Sequence, residues 1–142
     1  MDAIVFRLLL SASILLAAAA AWSFLLSVSK RRAGAAASDL EGYRSGNAAL
    51  VYFSSPVCVP CRAIQRPAVE RFKNAVGNEV QVIEVDAAAR PDVAARWGVF
   101  SLPTTVFLDA AGKPRTVNPG VASTETLLSQ ARLLRFPVKN AR

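Results

Sequence analysis

The chain has 142 residues, a hydrophobic fraction of 53% and a formal net charge of +7 at neutral pH. This length suffices for one domain with an appendage. The basic residues are scattered and lack the interleaved aromatic residues of a nucleic-acid-binding surface, so we predict no binding to nucleic acid. The chain contains no histidine and two cysteines. A zinc site built by one chain needs four ligands and is therefore not expected.

The apolar residues are concentrated near the N-terminus. Residues 8–28 are 21 residues without a charge, and Lys30-Arg31-Arg32 follow them. As a helix this segment would be about 31 Å long, which matches the hydrocarbon core of a bilayer at about 30 Å. We therefore predict a single-pass membrane anchor over residues 1–29, followed by a basic and alanine-rich tether over residues 30–37.

Two other interpretations of this segment stay open. A cleaved signal peptide could end at Ala35-Ala36-Ala37, although its apolar core is usually shorter than this one. The segment could also be a buried helix of a soluble domain, although such a helix is seldom apolar on every side over this length. The cations after the segment place the C-terminal domain in the cytoplasm by the positive-inside rule, with an extracytoplasmic domain as the alternative.

Residues 38–136 show the pattern of one α/β domain. Apolar and β-branched runs predict strands, and spacings of three and four residues predict helices. In chain order we expect a brief helix over 38–44, strand 50–54, helix 59–75, strand 79–86, helix 91–97, strand 104–108, an edge strand over 115–118, helix 123–136 and an unstructured tail over 137–142. This order, β-α-β-α-β-β-α, predicts a mixed sheet with helices on both faces.

Prolines and glycines set the helix boundaries. Pro67 should kink the helix over 59–75, because it lacks a backbone N–H. Gly98 should end the helix over 91–97. The side chains expected in the core are those of Phe53, Ile64, Ala68, Val69, Phe72, Trp97, Phe100, Phe107, Leu127, Leu128, Ala131, Leu133 and Leu134.

The two cysteines form the motif Cys58-Val59-Pro60-Cys61 between a predicted strand and a predicted helix. Two thiols at this spacing can close into a disulfide and reopen. The helix N-terminus offers unpaired N–H groups and about half a positive charge, which favour a thiolate, the reactive form of the thiol. Pro60 fits an early helical position. We predict a redox dithiol, with buried structural cysteines or a zinc site shared between two chains as alternatives.

The cysteine motif, Trp97-Gly98-Val99 and Ser101-Leu102-Pro103-Thr104-Thr105 occur in an order of elements that resembles the thioredoxin family. The resemblance covers roughly residues 40–136. It implies that Cys58 is the attacking thiol and Cys61 the buried resolving thiol. It also implies that Pro103 is a cis-proline packed opposite the disulfide.

The resemblance further implies how partners are recognised. Leu102 would offer backbone atoms to an extended substrate strand, and Val57, Val59 and Pro60 would form the docking surface. Protein disulfides are the implied substrates, a second redox protein recycles the site, and no metal or organic cofactor is required. The oligomeric state stays open.

Several positions depart from the family pattern. The family's buried aspartate falls on Tyr52, and its lysine partner on Val82. The usual tryptophan before the first cysteine is Val57, and the glycine within the motif is Val59. We therefore predict a membrane-tethered thiol–disulfide oxidoreductase, with a binding or assembly module of little redox turnover as the alternative.

Overall fold

A computed structural model describes residues 13, 15–20 and 37–136. Residues 13 and 15–20 are helical and belong to the first of two compact units, Met1–Arg31 and Arg32–Arg142. Most of the predicted membrane anchor, residues 30–36 of the tether and the tail over 137–142 lie outside the described residues. Among the residues that are described, no helix is both long and apolar enough to cross a membrane.

The second unit is built on a four-stranded mixed sheet. Its strands are β1 (Ala49–Ser54), β2 (Gln81–Asp86), β3 (Thr104–Leu108) and β4 (Pro114–Pro119), in the order β2-β1-β3-β4. β1 pairs in parallel with β2 and antiparallel with β3, and β3 pairs antiparallel with β4. The predicted mixed sheet, with the proline-bounded strand at an edge, is confirmed.

The helices occupy the predicted places in the chain. A helix begins at residue 59, passes through a wide π-helical turn over Cys61–Gln65 and continues as α1 (Arg66–Val76). It is followed by α2 (Pro91–Arg96) and, after the hairpin of β3 and β4, by α3 (Thr124–Leu133). The glycine at 98 has a φ of 66°, and it follows α2 as predicted.

The segment before β1 differs from the prediction. A brief helix was expected over 38–44, whereas the structure has only a 3-10 turn over Ala37–Asp39. Gly42 follows at a φ of 80°, a left-handed conformation that cannot continue a right-handed helix. The front of the domain is therefore a short turn rather than a packed helix.

Helices cover both faces of the sheet, as predicted. On one face Val51 and Phe53 of β1 pack with Val93 of α2. On the other face Leu50 and Tyr52 pack with residues of α1 and α3, including Phe72 and Leu127. All six residues of β1 are buried, because the strand lies between two neighbours and beneath helices on both sides.

Three side chains expected in the core are exposed instead. Phe100 is 96% exposed and lies between α2 and β3, after the helix has ended. Ile64 is exposed because the wide turn adds a residue and changes which positions face the sheet. Leu133 is 82% exposed. It is two residues from the buried Ala131 and therefore lies about 200° away around α3.

Candidate active site

The two cysteines lie where β1 gives way to the helix. Cys58 directly precedes the first helical residue and is joined by a disulfide to Cys61, with the two Cα atoms 5.3 Å apart. Cys58 is half-buried, whereas Cys61 is 1% exposed. The backbone N–H of Cys61 donates to the Cys58 sulfur over 3.3 Å. An N–H donor in this position stabilises negative charge on the first sulfur when the pair is reduced.

The residues predicted to surround the cysteines occupy two segments. Val57 is 84% exposed, and Val59 and Pro60 are exposed beside it. The Leu102–Pro103 peptide bond is cis, in agreement with the resemblance. Pro103 is buried and Leu102 half-buried. The roles of these five residues in binding a partner stay predictions.

The sheet register brings the cis-proline segment to the cysteine end of the sheet. Thr104, the first residue of β3, lies opposite Phe53 near the end of β1. Leu102 packs against the same apolar cluster as Cys58. The segment before β3 and the segment after β1 therefore leave the sheet side by side.

Tyr52 makes a contact that sequence reasoning missed. Its hydroxyl donates a hydrogen bond to the backbone carbonyl of Cys61 over 2.9 Å, and both groups are buried. The backbone N–H of Arg66 donates to the same carbonyl, which closes the wide turn. A signal was available, because a tyrosine inside a strand of buried residues usually needs a partner for its hydroxyl.

A polar cluster lies beside Tyr52 on the same face of the sheet. Glu84 pairs with Tyr52 in the register of β1 and β2. It accepts hydrogen bonds of 2.8 Å from Ser54 Oγ and from Arg66 Nη2. Burial, and then the negative charge of Glu84, raise the pKa of Tyr52 above its ordinary value of 10.0, while Arg66 and Ser54 act in the opposite direction. Tyr52 is therefore a neutral hydrogen-bond donor at physiological pH.

Gln65 is a second residue that sequence reasoning missed. It ends the wide turn, is fully buried, and bonds in both directions with the backbone of Ala122. Its Oε1 accepts from the Ala122 N–H over 2.7 Å, and its Nε2 donates to the Ala122 carbonyl over 3.1 Å. These two hydrogen bonds connect the wide turn to the segment that enters α3.

Comparison with known proteins identifies the domain. The family model described as thioredoxin matches residues 38–132. The chain belongs to the thioredoxin family. It is 32% identical over 75 residues to thioredoxin 1 of Synechococcus elongatus, a match that covers 53% of this chain and 69% of that protein. It is 30% identical over 73 residues to the thioredoxin of Borreliella burgdorferi, covering 51% of this chain and 62% of that one.

Solved thioredoxin structures share the fold. The structure of Fasciola hepatica thioredoxin superposes with a TM-score of 0.55 at 31% identity, covering 62% of this chain and 82% of that one. Chloroplastic thioredoxin z gives a TM-score of 0.58 at 22% identity, over 63% and 80% of the two chains, and this likeness shows the fold alone. Family membership and the Cys58–Cys61 disulfide make this thioredoxin domain a thiol–disulfide oxidoreductase.

Proposed function

We propose that this thioredoxin-family protein is tethered to a membrane by residues 8–28 and exchanges disulfides with protein partners through Cys58 and Cys61. The observation that carries the exchange is the asymmetry of the pair. Cys58 is half-buried at a helix N-terminus, and Cys61 is buried one helical turn away. An accessible thiol can meet a partner's disulfide, while the buried thiol is kept from reacting with solvent species.

The exchange proceeds in two balanced steps. The Cys58 thiolate attacks one sulfur of the partner disulfide, which forms a mixed disulfide and releases one partner thiolate. Cys61 then loses its proton and its sulfur attacks Cys58, which releases the second partner thiolate and leaves Cys58–Cys61 oxidised. The partner gains two electrons and the dithiol loses two. A second redox protein must return those electrons before the next turnover.

The partner surface is assigned to the residues around the sulfurs. Val57, Val59 and Pro60 are exposed next to Cys58 in the chain, the half-buried Leu102 lies in the segment that enters β3 at the same end of the sheet, and the buried Pro103 follows it. An apolar rim around a reactive sulfur favours partners whose disulfides lie among apolar residues. The backbone of Leu102 is available to pair with an extended segment of such a partner.

A redox titration tests the exchange chemistry. The full chain in detergent micelles is equilibrated in glutathione buffers, and its free thiols are then alkylated and counted by mass. We expect one reversible two-electron transition between dithiol and disulfide. A midpoint near or below about −230 mV would indicate a reductant, and one near −120 mV an oxidant. If no intramolecular disulfide forms at any potential, the binding or assembly module is the better account.

The membrane tether rests on the uncharged segment over residues 8–28 and on the cations that follow it. Removal of residues 1–29 is expected to move the protein from the membrane fraction to the soluble fraction of cells that express it. The full chain should resist extraction with alkaline carbonate and should dissolve in detergent. Release of the full chain by carbonate would contradict an anchor.

We also propose that the domain lies on the cytoplasmic side of the membrane, because Lys30, Arg31 and Arg32 follow the uncharged segment. This position can be tested in the same cells. A membrane-impermeant maleimide applied after mild reduction should label Cys58 only once the cells have been opened. Labelling in intact cells would place the domain on the outer side.

A further inference from the structure

We propose that the Tyr52 hydroxyl positions the resolving cysteine, by holding the Cys61 carbonyl so that the Cys61 sulfur can reach the mixed disulfide at Cys58. Tyr52 would be a positioning residue, because its hydroxyl bonds the backbone of Cys61 rather than a sulfur. The inference rests on the exchange proposed above. It adds a residue that acts on the second step of that exchange.

The hydrogen bond from Tyr52 matters because the wide turn changes how the Cys61 carbonyl is bonded within the helix. In an α-helix the carbonyl of residue 61 would accept from the N–H of residue 65, but here it accepts from Arg66 instead. Pro67 follows directly and has no N–H to donate, so the hydrogen-bond ladder is weakened at this point. Tyr52 supplies a second donor to the Cys61 carbonyl from outside the helix. The backbone of the resolving cysteine is thereby fixed to the sheet.

The donor is itself held firmly. Tyr52 lies in β1, which is paired on both sides, and its side chain is among the largest that are fully buried. Glu84 lies beside it and accepts hydrogen bonds from Ser54 and Arg66. Burial and the charge of Glu84 raise the pKa of Tyr52, so the hydroxyl keeps its proton across the physiological range. A rigid donor that stays protonated at physiological pH suits a positioning role.

The two steps of exchange depend on this contact differently. The first step uses the partly accessible Cys58 sulfur and does not require Cys61 to move. The second step requires the Cys61 sulfur to approach Cys58 in line with the bond that breaks. Loss of the hydrogen bond to the Cys61 carbonyl therefore lowers the fraction of productive geometries mainly for the second step. The first step is affected only as far as the Cys61 N–H, which lies on the preceding peptide unit and donates to the Cys58 sulfur, moves as well.

Kinetics with Ellman's reagent can separate the steps. This aromatic disulfide releases one coloured thiolate when Cys58 attacks and a second when Cys61 displaces the mixed disulfide. The reduced full chain in micelles is mixed with enough reagent that the second, unimolecular step limits the rate. For Tyr52→Phe we expect a second step slowed about three- to tenfold, the effect of losing one buried hydrogen bond, and a first step that is slowed much less.

Tyr43→Phe is the matched control. Tyr43 packs against the opposite face of the sheet, and its buried hydroxyl has no hydrogen-bond partner within the described part of the chain. This variant should leave both steps unchanged. The slowing in Tyr52→Phe should also be the same from pH 6 to pH 9, because the hydroxyl does not titrate there.

The outcomes distinguish this inference from the proposed function. Equal second-step rates in wild type and Tyr52→Phe would overturn the positioning role while leaving the exchange intact. Equal slowing of both steps would indicate a general structural defect and would also overturn it. A slowing that changes with pH would indicate proton transfer rather than positioning. If the wild type releases only one thiolate, the exchange mechanism itself fails.

Discussion

Replacing Cys61 with serine is expected to convert the protein into a trap for its partners. Cys58 can still attack a disulfide, but no second thiol remains to release the partner. The mixed disulfide should accumulate and appear on non-reducing gels as adducts that disappear on reduction. Because Cys58 precedes the helix and is only half-buried, its access to partners should not change in this variant.

Replacing Cys58 with serine is the matched control for the trap. Cys61 is 1% exposed and cannot substitute for the lost nucleophile, so exchange activity and adducts should both be lost completely. If partners stay bound to the Cys61→Ser protein after reduction, they are not held by a mixed disulfide. That result would contradict the exchange mechanism and support a binding module. Adducts that persist in Cys58→Ser would show that Cys61 is the attacking thiol.

Replacing Gln65 with leucine is expected to lower the free energy of unfolding by about 2–5 kcal/mol. Leucine fills a similar volume but leaves the buried N–H and carbonyl of Ala122 without the partners that Gln65 provides. Each buried polar group left unpaired costs about 1–3 kcal/mol. This is a large share of the 5–15 kcal/mol that usually stabilises a small domain. Urea unfolding of the form that lacks residues 1–29, followed by Trp97 fluorescence, measures the loss.

Gln81 provides a control with the same bonding in a different environment. Its amide also bonds in both directions with one backbone unit, that of Arg44, with both distances 2.8 Å. These bonds are exposed, so water can replace them when Gln81 is changed to leucine. We expect a loss below about 1 kcal/mol. Equal losses in the two variants would show that burial of the Gln65 pair contributes nothing.

The position of the wide turn over Cys61–Gln65 depends on contacts from three parts of the chain. Tyr52 in β1 holds the carbonyl at its start, and Gln65 at its end is bonded to Ala122 before α3. Thr124 of α3 adds a hydrogen bond to the Ala68 carbonyl of α1 over 3.2 Å. The position of the reactive pair is therefore a property of the packed domain and not of the motif alone.

The amino-acid sequence by itself determined the class of fold and the reactive pair. Apolar runs, helical spacings and turn residues act over a few neighbours, so the strands, α2 and the edge strand bounded by Pro114 and Pro119 could be predicted with errors at their ends. The spacing of Cys58 and Cys61 at a strand-to-helix boundary could be predicted for the same reason. All of these features depend on residues that are close together in the sequence.

Only the tertiary structure decided which side chains meet across the fold. Tyr52 and Cys61 are 9 residues apart, and Gln65 and Ala122 are 57 residues apart. Their contacts depend on how the helices pack on the sheet, which no local pattern specifies. The wide turn before Pro67 also shifts the helical spacing, so Ile64 faces solvent instead of the core. Local preferences set the elements, and packing between distant segments set the geometry in which the cysteines react.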